Sequence, residues 1–289
     1  MENKEYLEHI EIKGLWGQYD VDWALNPDVN ILVGENGTGK STILSLVVDF
    51  WKNGYIDGKI AKHISLKTTN GIMSTKGYLS QDSELIIGFF PLTEVEHIKL
   101  IKTFDAPFYS KSDKEVKRKP YIKSTLDDDL DVIMEKYVEY QLDKSNQLIF
   151  KKLPQEKAFG KKLLLIEALN RLFEPTRKTV DTNENKLVFR DKNNGKIQWY
   201  DLSSGEKQLL VILLTVLCQD EKPSVLLLDE PEISLDLRWQ YELVSLLRQF
   251  NPNCQLIIVT HSPGIYGKGW RDKVVFMDDI VPQLKEQVV

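Results

Sequence analysis

Val29-Asn30-Ile31-Leu32-Val33-Gly34-Glu35-Asn36-Gly37-Thr38-Gly39-Lys40-Ser41 decides how the rest of this chain is read. Val29 to Val33 is a short, mostly apolar strand. The loop after it matches the pattern G-x-x-x-x-G-K-[ST] at every fixed position. Past the loop, Ile43, Leu44, Val47, Val48 and Trp51 share one face of a helix. Strand, glycine-rich loop and helix together cradle phosphate. Gly34, Gly37 and Gly39 let the backbone curl, so that amides from Glu35, Asn36, Thr38 and their neighbours point inward. The helix N-terminus adds its partial positive charge. Lys40 reaches the β- and γ-phosphates of a nucleotide, the Ser41 hydroxyl holds Mg²⁺, and Thr42 is placed to touch the α-phosphate.

A second apolar run, Val225-Leu226-Leu227-Leu228, ends in two carboxylates, Asp229 and Glu230. Four consecutive apolar residues imply a strand buried on both faces. Ligands in such sheets bind at the C-terminal strand ends. Asp229 can therefore orient Mg²⁺ or its water. Glu230 can polarise an attacking water as general base. Further on, Leu202-Ser203-Ser204-Gly205-Glu206-Lys207-Gln208 opens a helix with N-cap residue types, and a helix start binds anions.

With that turn in place, the chain resembles the ABC ATPase superfamily, whose signature is an LSGGQ-like turn. Here Ser204 replaces the first glycine of the signature and Glu206 the glutamine. The resemblance implies that the turn caps the γ-phosphate held by another subunit, through Ser203 and Gly205. Ser234-Leu235-Asp236 resembles the D-loop of the dimer seam. His261, after the run Leu256 to Thr260, matches the switch histidine that contacts the γ-phosphate. The expected cofactors are ATP and Mg²⁺. The expected fold is an α/β P-loop NTPase, an ABC-type ATPase head with a mixed or parallel core sheet and an inserted, mainly helical lobe. The expected division gives residues 1–104 and 220–289 to the nucleotide-binding lobe and 105–219 to the inserted lobe that ends in the signature.

Short strands are expected at Leu7 to Ile12, Val21 to Leu25, Ile60 to Leu66, Met73 to Ser80 and Glu84 to Phe90. Helices are expected from Leu126 to Gln141, Lys161 to Phe173, Gly205 to Gln219 and Leu237 to Phe250. Lys186 to Arg190 and Lys196 to Tyr200 flank Asn194-Gly195 as a hairpin. Lys273 to Met277 forms a last strand. Trp16 and Tyr19 are candidates to stack on the base. Three candidates stand for the family's Q-loop glutamine: Gln81, Gln141 and the stretch Thr103-Phe104-Asp105.

Asp229-Glu230-Pro231-Glu232-Ile233-Ser234-Leu235 and Thr260-His261-Ser262-Pro263 are similar to the RecF, SMC and OLD (overcoming lysogenization defect) branch, which includes DNA-repair and anti-phage ATPases. Neither the long heptad arms of SMC proteins nor the nuclease domain of OLD proteins is expected. The expectation is a compact switch ATPase that forms a dimer or higher homo-oligomer and acts on a separately encoded effector. The competing readings are the ATPase subunit of a membrane transporter and a nucleotide-dependent scaffold without turnover. The net charge of −5 argues against a generally basic nucleic-acid binder. Lys111, Lys114, Lys117, Arg118, Lys119 and Lys123 form a local basic cluster that leaves nucleic acid open as a partner. No apolar run is long enough to span a bilayer, the first ten residues carry no apolar stretch, and the two cysteines, Cys218 and Cys254, read as reduced packing residues. A cytoplasmic location is expected, with no membrane partner.

Overall fold

The computed structural model describes residues 6–75, 98–102, 124–151, 154–182 and 186–285. Gln81, the Thr103 to Asp105 stretch, the basic cluster from Lys111 to Lys123, the strand expected at Glu84 to Phe90 and the end of the one expected at Met73 to Ser80 lie outside the described residues.

The nucleotide-loop sequence folds as the periodicity predicts. Strand β3 (Val29–Val33) runs into the loop, and helix α1 (Lys40–Asn53) follows, burying Ile43, Leu44, Leu46, Val47, Val48 and Phe50. Before it, β1 (Leu7–Leu15) and β2 (Tyr19–Ala24) pair antiparallel, and β1 also pairs with β4 (His63–Thr68), which pairs with β5 (Gly71–Ser74). Alternation puts Ile10, Ile12, Val21 and Trp23 inward, where they share a core with the buried face of α1.

A five-stranded sheet carries the order β12-β3-β11-β10-β6, with every pair parallel. Its strands are β6 (Ile98–Lys102), β10 (Ser224–Asp229), β11 (Cys254–Thr260) and β12 (Val274–Phe276) beside β3. All six residues of β10 and all seven of β11 are buried, as continuous apolar runs require in a parallel sheet covered on both faces. This is the α/β P-loop architecture expected. β6 was not anticipated. It lies at the sheet edge, where its lysines at 99 and 102 keep access to water.

The described chain falls into two units. Residues 1–102, 221–232 and 252–289 form one, and residues 103–220 and 233–251 the other. The second unit holds helices α2 (Thr125–Phe150), α3 (Gln155–Leu172), α4 (Ser204–Leu217) and α5 (Leu237–Phe250). α2 runs nine residues past its expected end at Gln141. α4 is buried from Gly205 to Leu217, with buried polar residues in its first turn and apolar ones on almost every side from Leu209 onward, which makes it the central helix of this unit. Phe173 stacks at a tilt on Phe189 and Trp239, with centroids 5.5 and 5.6 Å apart, and the Trp239 indole N–H donates to the Leu172 carbonyl.

A small sheet in the same unit has the order β7-β8-β9, from β7 (Thr179–Asp181), β8 (Val188–Arg190) and β9 (Lys196–Ile197). β7 is new. The expected hairpin forms, but not on a two-residue turn. Of Asn194 and Gly195 only Asn194 has a positive φ, 63°, whereas a type I′ turn needs both. The Asp191 carboxylate instead accepts the Asn193 and Gly195 amides and builds a longer loop. The second expected strand also stops early, because Trp199–Asp201 is a 3₁₀ turn. Neither cysteine forms a disulfide, and Cys254 is buried.

Leu227 lies in the middle of β10 with no exposed surface. Leu227→Ala is expected to cost roughly 2–5 kcal/mol, read as a lower urea midpoint at unchanged slope.

Candidate functional site

Gly37 and Gly39 take left-handed backbone, with φ of 81° and 99°, which a β-carbon disfavours. That conformation turns the loop back over the start of α1. Lys40 is almost fully buried, and its ammonium donates to the Gly34 carbonyl at 2.9 Å and the Glu35 carbonyl at 2.7 Å. The lysine thus lies along the inner side of the loop. Burial lowers its pKa, and the carboxylates of Glu230, Asp229 and Glu232 oppose that shift. Thr38 Oγ1 donates to the Glu35 carbonyl and pins the outer half of the loop, where Glu35, Asn36 and Gly37 are exposed. Trp16 presents its ring edge to Gly39: a β-carbon there would meet it at 3.0 Å. Trp16 is 41% exposed and packs edge-on against Tyr19.

The carboxylate strand meets this loop. Ser41 Oγ donates to Asp229 Oδ1 at 2.7 Å. Two hard oxygens thus stand together beside the phosphate loop. Among the described residues no three His, Cys, Asp or Glu side chains gather as a metal cage. That donor set fits Mg²⁺, which keeps most of its shell for water and phosphate rather than for protein.

Glu230 has a φ of 49°, unusual for a residue with a side chain, and its N–H donates to the Val259 carbonyl at 2.8 Å. Such a backbone costs on the order of 1–3 kcal/mol and persists only where its surroundings hold it. It brings Glu230 Oε1 to 3.4 Å from His261 Nε2. The first unit therefore brings together the loop from Gly34 to Ser41, Thr42 in the first turn of α1, Asp229, Glu230 and His261. One residue outside the expected set joins them. Glu232 Oε1 accepts the His261 amide at 2.7 Å and the Ser262 amide at 3.2 Å. No spacing rule marks a carboxylate three residues past a strand end as a partner for a distant turn.

Ser203, Gly205 and Asp236 belong to the second unit. Ser203 caps α4: its Oγ accepts the Glu206 amide, and the Glu206 carboxylate accepts the Ser203 amide. Glu206 has no exposed surface and takes both oxygens to the Lys178 ammonium, at 2.8 and 2.6 Å, and one to Thr176. The departure from the signature glutamine is therefore a buried ion pair behind the turn. α2 repeats the device, with a Ser124–Asp127 capping box whose buried Asp127 pairs with Lys207 at 2.7 Å. Gly205 lies so close to the Ser234 carbonyl that any β-carbon would collide with it. The turn before α4 and the segment before α5 thus touch, and only glycine fits between them. Asp236 is half exposed and caps α5 by accepting the Arg238 amide at 2.9 Å. Gln141 is buried on α2 and accepts Lys162 Nζ at 2.6 Å.

A family model described as "AAA domain, putative AbiEii toxin, Type IV TA system" matches residues 133–266. The "Retron Vc95 probable ATPase" of Vibrio cholerae is 35% identical over 83 residues, which are 25% of this chain and 16% of that protein. "ABC transporter A family member 11" of Dictyostelium discoideum is 26% identical over 235 residues, 80% of this chain and 19% of that protein. The chain spans less than a fifth of the length of either relative. Among solved structures, the SMC head domain from Thermotoga maritima aligns over 91% of each chain at 15% identity with a TM-score of 0.46. Among the described residues no helix is long and apolar enough to cross a membrane.

Burial raises the Glu206 pKa, and hydrogen bonds from Lys178, Ser203 and Thr176 outweigh it, leaving the group below the usual glutamate range. A depressed folded-state pKa stabilises above the unfolded value, and that stabilisation is lost as pH falls through the folded one. Lys178→Met leaves the buried carboxylate unpaired and is expected to cost about 3–5 kcal/mol near neutral pH. The gap to the parent should narrow as Glu206 protonates in acid, and Lys178→Met/Glu206→Gln should recover most of the loss. Thermal melts across the acid range check both.

Proposed function

We propose, from the premise that this chain is an ABC-type ATPase of the RecF/SMC/OLD-like branch, that it hydrolyses ATP as one half of a nucleotide-bound dimer. The cycle would switch a separately encoded effector in anti-phage defence or DNA maintenance. The observation that carries the reading is the Ser41–Asp229 oxygen pair, 2.7 Å apart, with Glu230 next in sequence. That grouping suits a magnesium-bound phosphate chain and a water beside it.

Magnesium, when bound, neutralises charge that develops on the phosphates during transfer. Lys40 exchanges the Gly34 and Glu35 carbonyls for phosphate oxygens, while the amides from Gly34 to Ser41 and the Thr42 hydroxyl bind the rest of the chain. Ser41 would ligate the metal, and Asp229 would orient a water beside it. Glu230 accepts the proton of the attacking water as general base. His261 contacts the γ-phosphate and reports its presence. A second copy supplies Ser203 and Gly205 as the cap over that phosphate, with Asp236 at the seam. Closure is favoured only while the γ-phosphate is present, so hydrolysis reopens the pair.

The effector reading is supported by the relative named as a retron ATPase and by a family description that names a toxin–antitoxin system. The stretch similar to a transporter family member favours the nucleotide chemistry equally and says less about the partner.

Lys40→Ala is expected to lose ATP binding and turnover together. Glu230→Gln should still bind Mg-ATP while turnover falls by roughly 10²–10⁴-fold, and it should sediment as a dimer with Mg-ATP and as a monomer with ADP. Parent-like turnover in Glu230→Gln removes it from the base role. A Glu230→Gln chain that stays monomeric at saturating Mg-ATP rules out the shared site.

A further inference from the structure

The motifs give roles to Glu230 and His261 and leave Glu232 without one. The geometry ties it to both. Glu232 Oε1 accepts the His261 amide at 2.7 Å and the Ser262 amide at 3.2 Å. The Ser262 amide also has a local acceptor, Thr260 Oγ1 at 2.9 Å. Glu232 is thus one of two acceptors for Ser262, whereas the His261 amide lies closer to its carboxylate. A carboxylate acceptor makes such a bond about twice as strong as a neutral one.

Two residues earlier, Glu230 Oε1 lies 3.4 Å from the other end of the same histidine, at Nε2. Pro231 between the two acids has a fixed φ. The Glu230 backbone is itself anchored to the Val259 carbonyl. The loop after β10 therefore grips His261 at its main chain through Glu232 and at its ring through Glu230. The strands under this clamp do not depend on it. β10 and β11 are joined by their own ladder from Ser224–Cys254 to Asp229–Val259. Loss of the Glu232 carboxylate frees the histidine turn and leaves the sheet standing.

We propose that Glu232 is a positioning residue of the hydrolysis site: it holds the His261 peptide so that the imidazole stays against Glu230, and its loss slows the chemical step far more than it changes nucleotide affinity. The inference rests on the ATPase reading above. It requires an oxygen acceptor at position 232, not a charge, so the neutral amide of Glu232→Gln keeps the function and the truncated side chain of Glu232→Ala loses it.

The test uses the full chain as parent, Glu232→Ala and Glu232→Gln. Steady-state hydrolysis of Mg-ATP gives kcat and KM, and amide hydrogen exchange at His261, followed by NMR without nucleotide, reads the clamp directly. In Glu232→Ala, kcat should fall roughly 10–100-fold with KM within about twofold of the parent, because Glu232 is the smallest of the three carboxylate influences on Lys40. Exchange at His261 should quicken about tenfold or more. Glu232→Gln, which keeps a neutral oxygen acceptor, should restore most of both. Parent-like kcat in Glu232→Ala, a KM that rises in step with the loss of kcat, or a Glu232→Gln as impaired as Glu232→Ala each overturns the proposal. A parent with no turnover removes the ATPase reading instead. The exchange rates then still decide whether Glu232 holds the histidine turn.

Discussion

Parallel hydrogen bonding across β3, β11 and β10 pairs Val33 with Thr260 and Val259 with Asp229. The three strands therefore end level. Their following residues, the loop from Gly34, the turn at His261 and the acidic pair Asp229-Glu230, emerge at one sheet edge. Everything at the candidate site depends on that register. A slip of one residue in β10 would turn Asp229 to the opposite face of the sheet. It would also remove its carboxylate from the 2.7 Å contact with Ser41. The full burial of β10 and β11 makes such a slip costly, because every residue of both strands is packed on one face or the other.

The second unit is arranged on a different principle. Two of its buried acids finish helix starts and pair with lysines: Glu206, boxed with Ser203, with Lys178, and Asp127, boxed with Ser124, with Lys207. A capping box stabilises a helix N-terminus by satisfying two backbone amides. Burying its acid demands a cation, and each lysine supplies one. The Gly205 contact with Ser234 then fixes the spacing between the turn before α4 and the segment before α5. The turn expected to bind phosphate is stiffened from behind while its outward face keeps Ser203 and Ser204.

How much of this was legible in the sequence follows from the range of each signal. The strand-loop-helix at Val29 to Asn53 is local, and its pattern marks every residue that matters. The runs at Val225 and Leu256 announce buried strands because their apolar content is continuous. β6 and β7 were missed because a short strand with lysines or threonine at a sheet edge carries no pattern distinct from loop. The hairpin turn was misjudged because Asn-Gly suggests a two-residue turn, while the Asp191 carboxylate, three residues upstream, captures the Gly195 amide. Glu232 and Lys178 were invisible for a deeper reason. Their partners lie 29 and 28 residues away along the chain, and no periodicity links positions across such a gap.

On the proposed reading, the edge of β3, β11 and β10 holds a magnesium nucleotide through Lys40, Ser41 and Asp229. Calorimetric titration of the parent and of Ser41→Ala with ATP, each with and without Mg²⁺, tests this most directly. Mg²⁺ is expected to tighten ATP binding to the parent, and Ser41→Ala is expected to lose that gain while keeping its metal-free affinity. A parent that binds ATP equally well without Mg²⁺, or a Ser41→Ala chain that gains as much from Mg²⁺ as the parent, would contradict that reading.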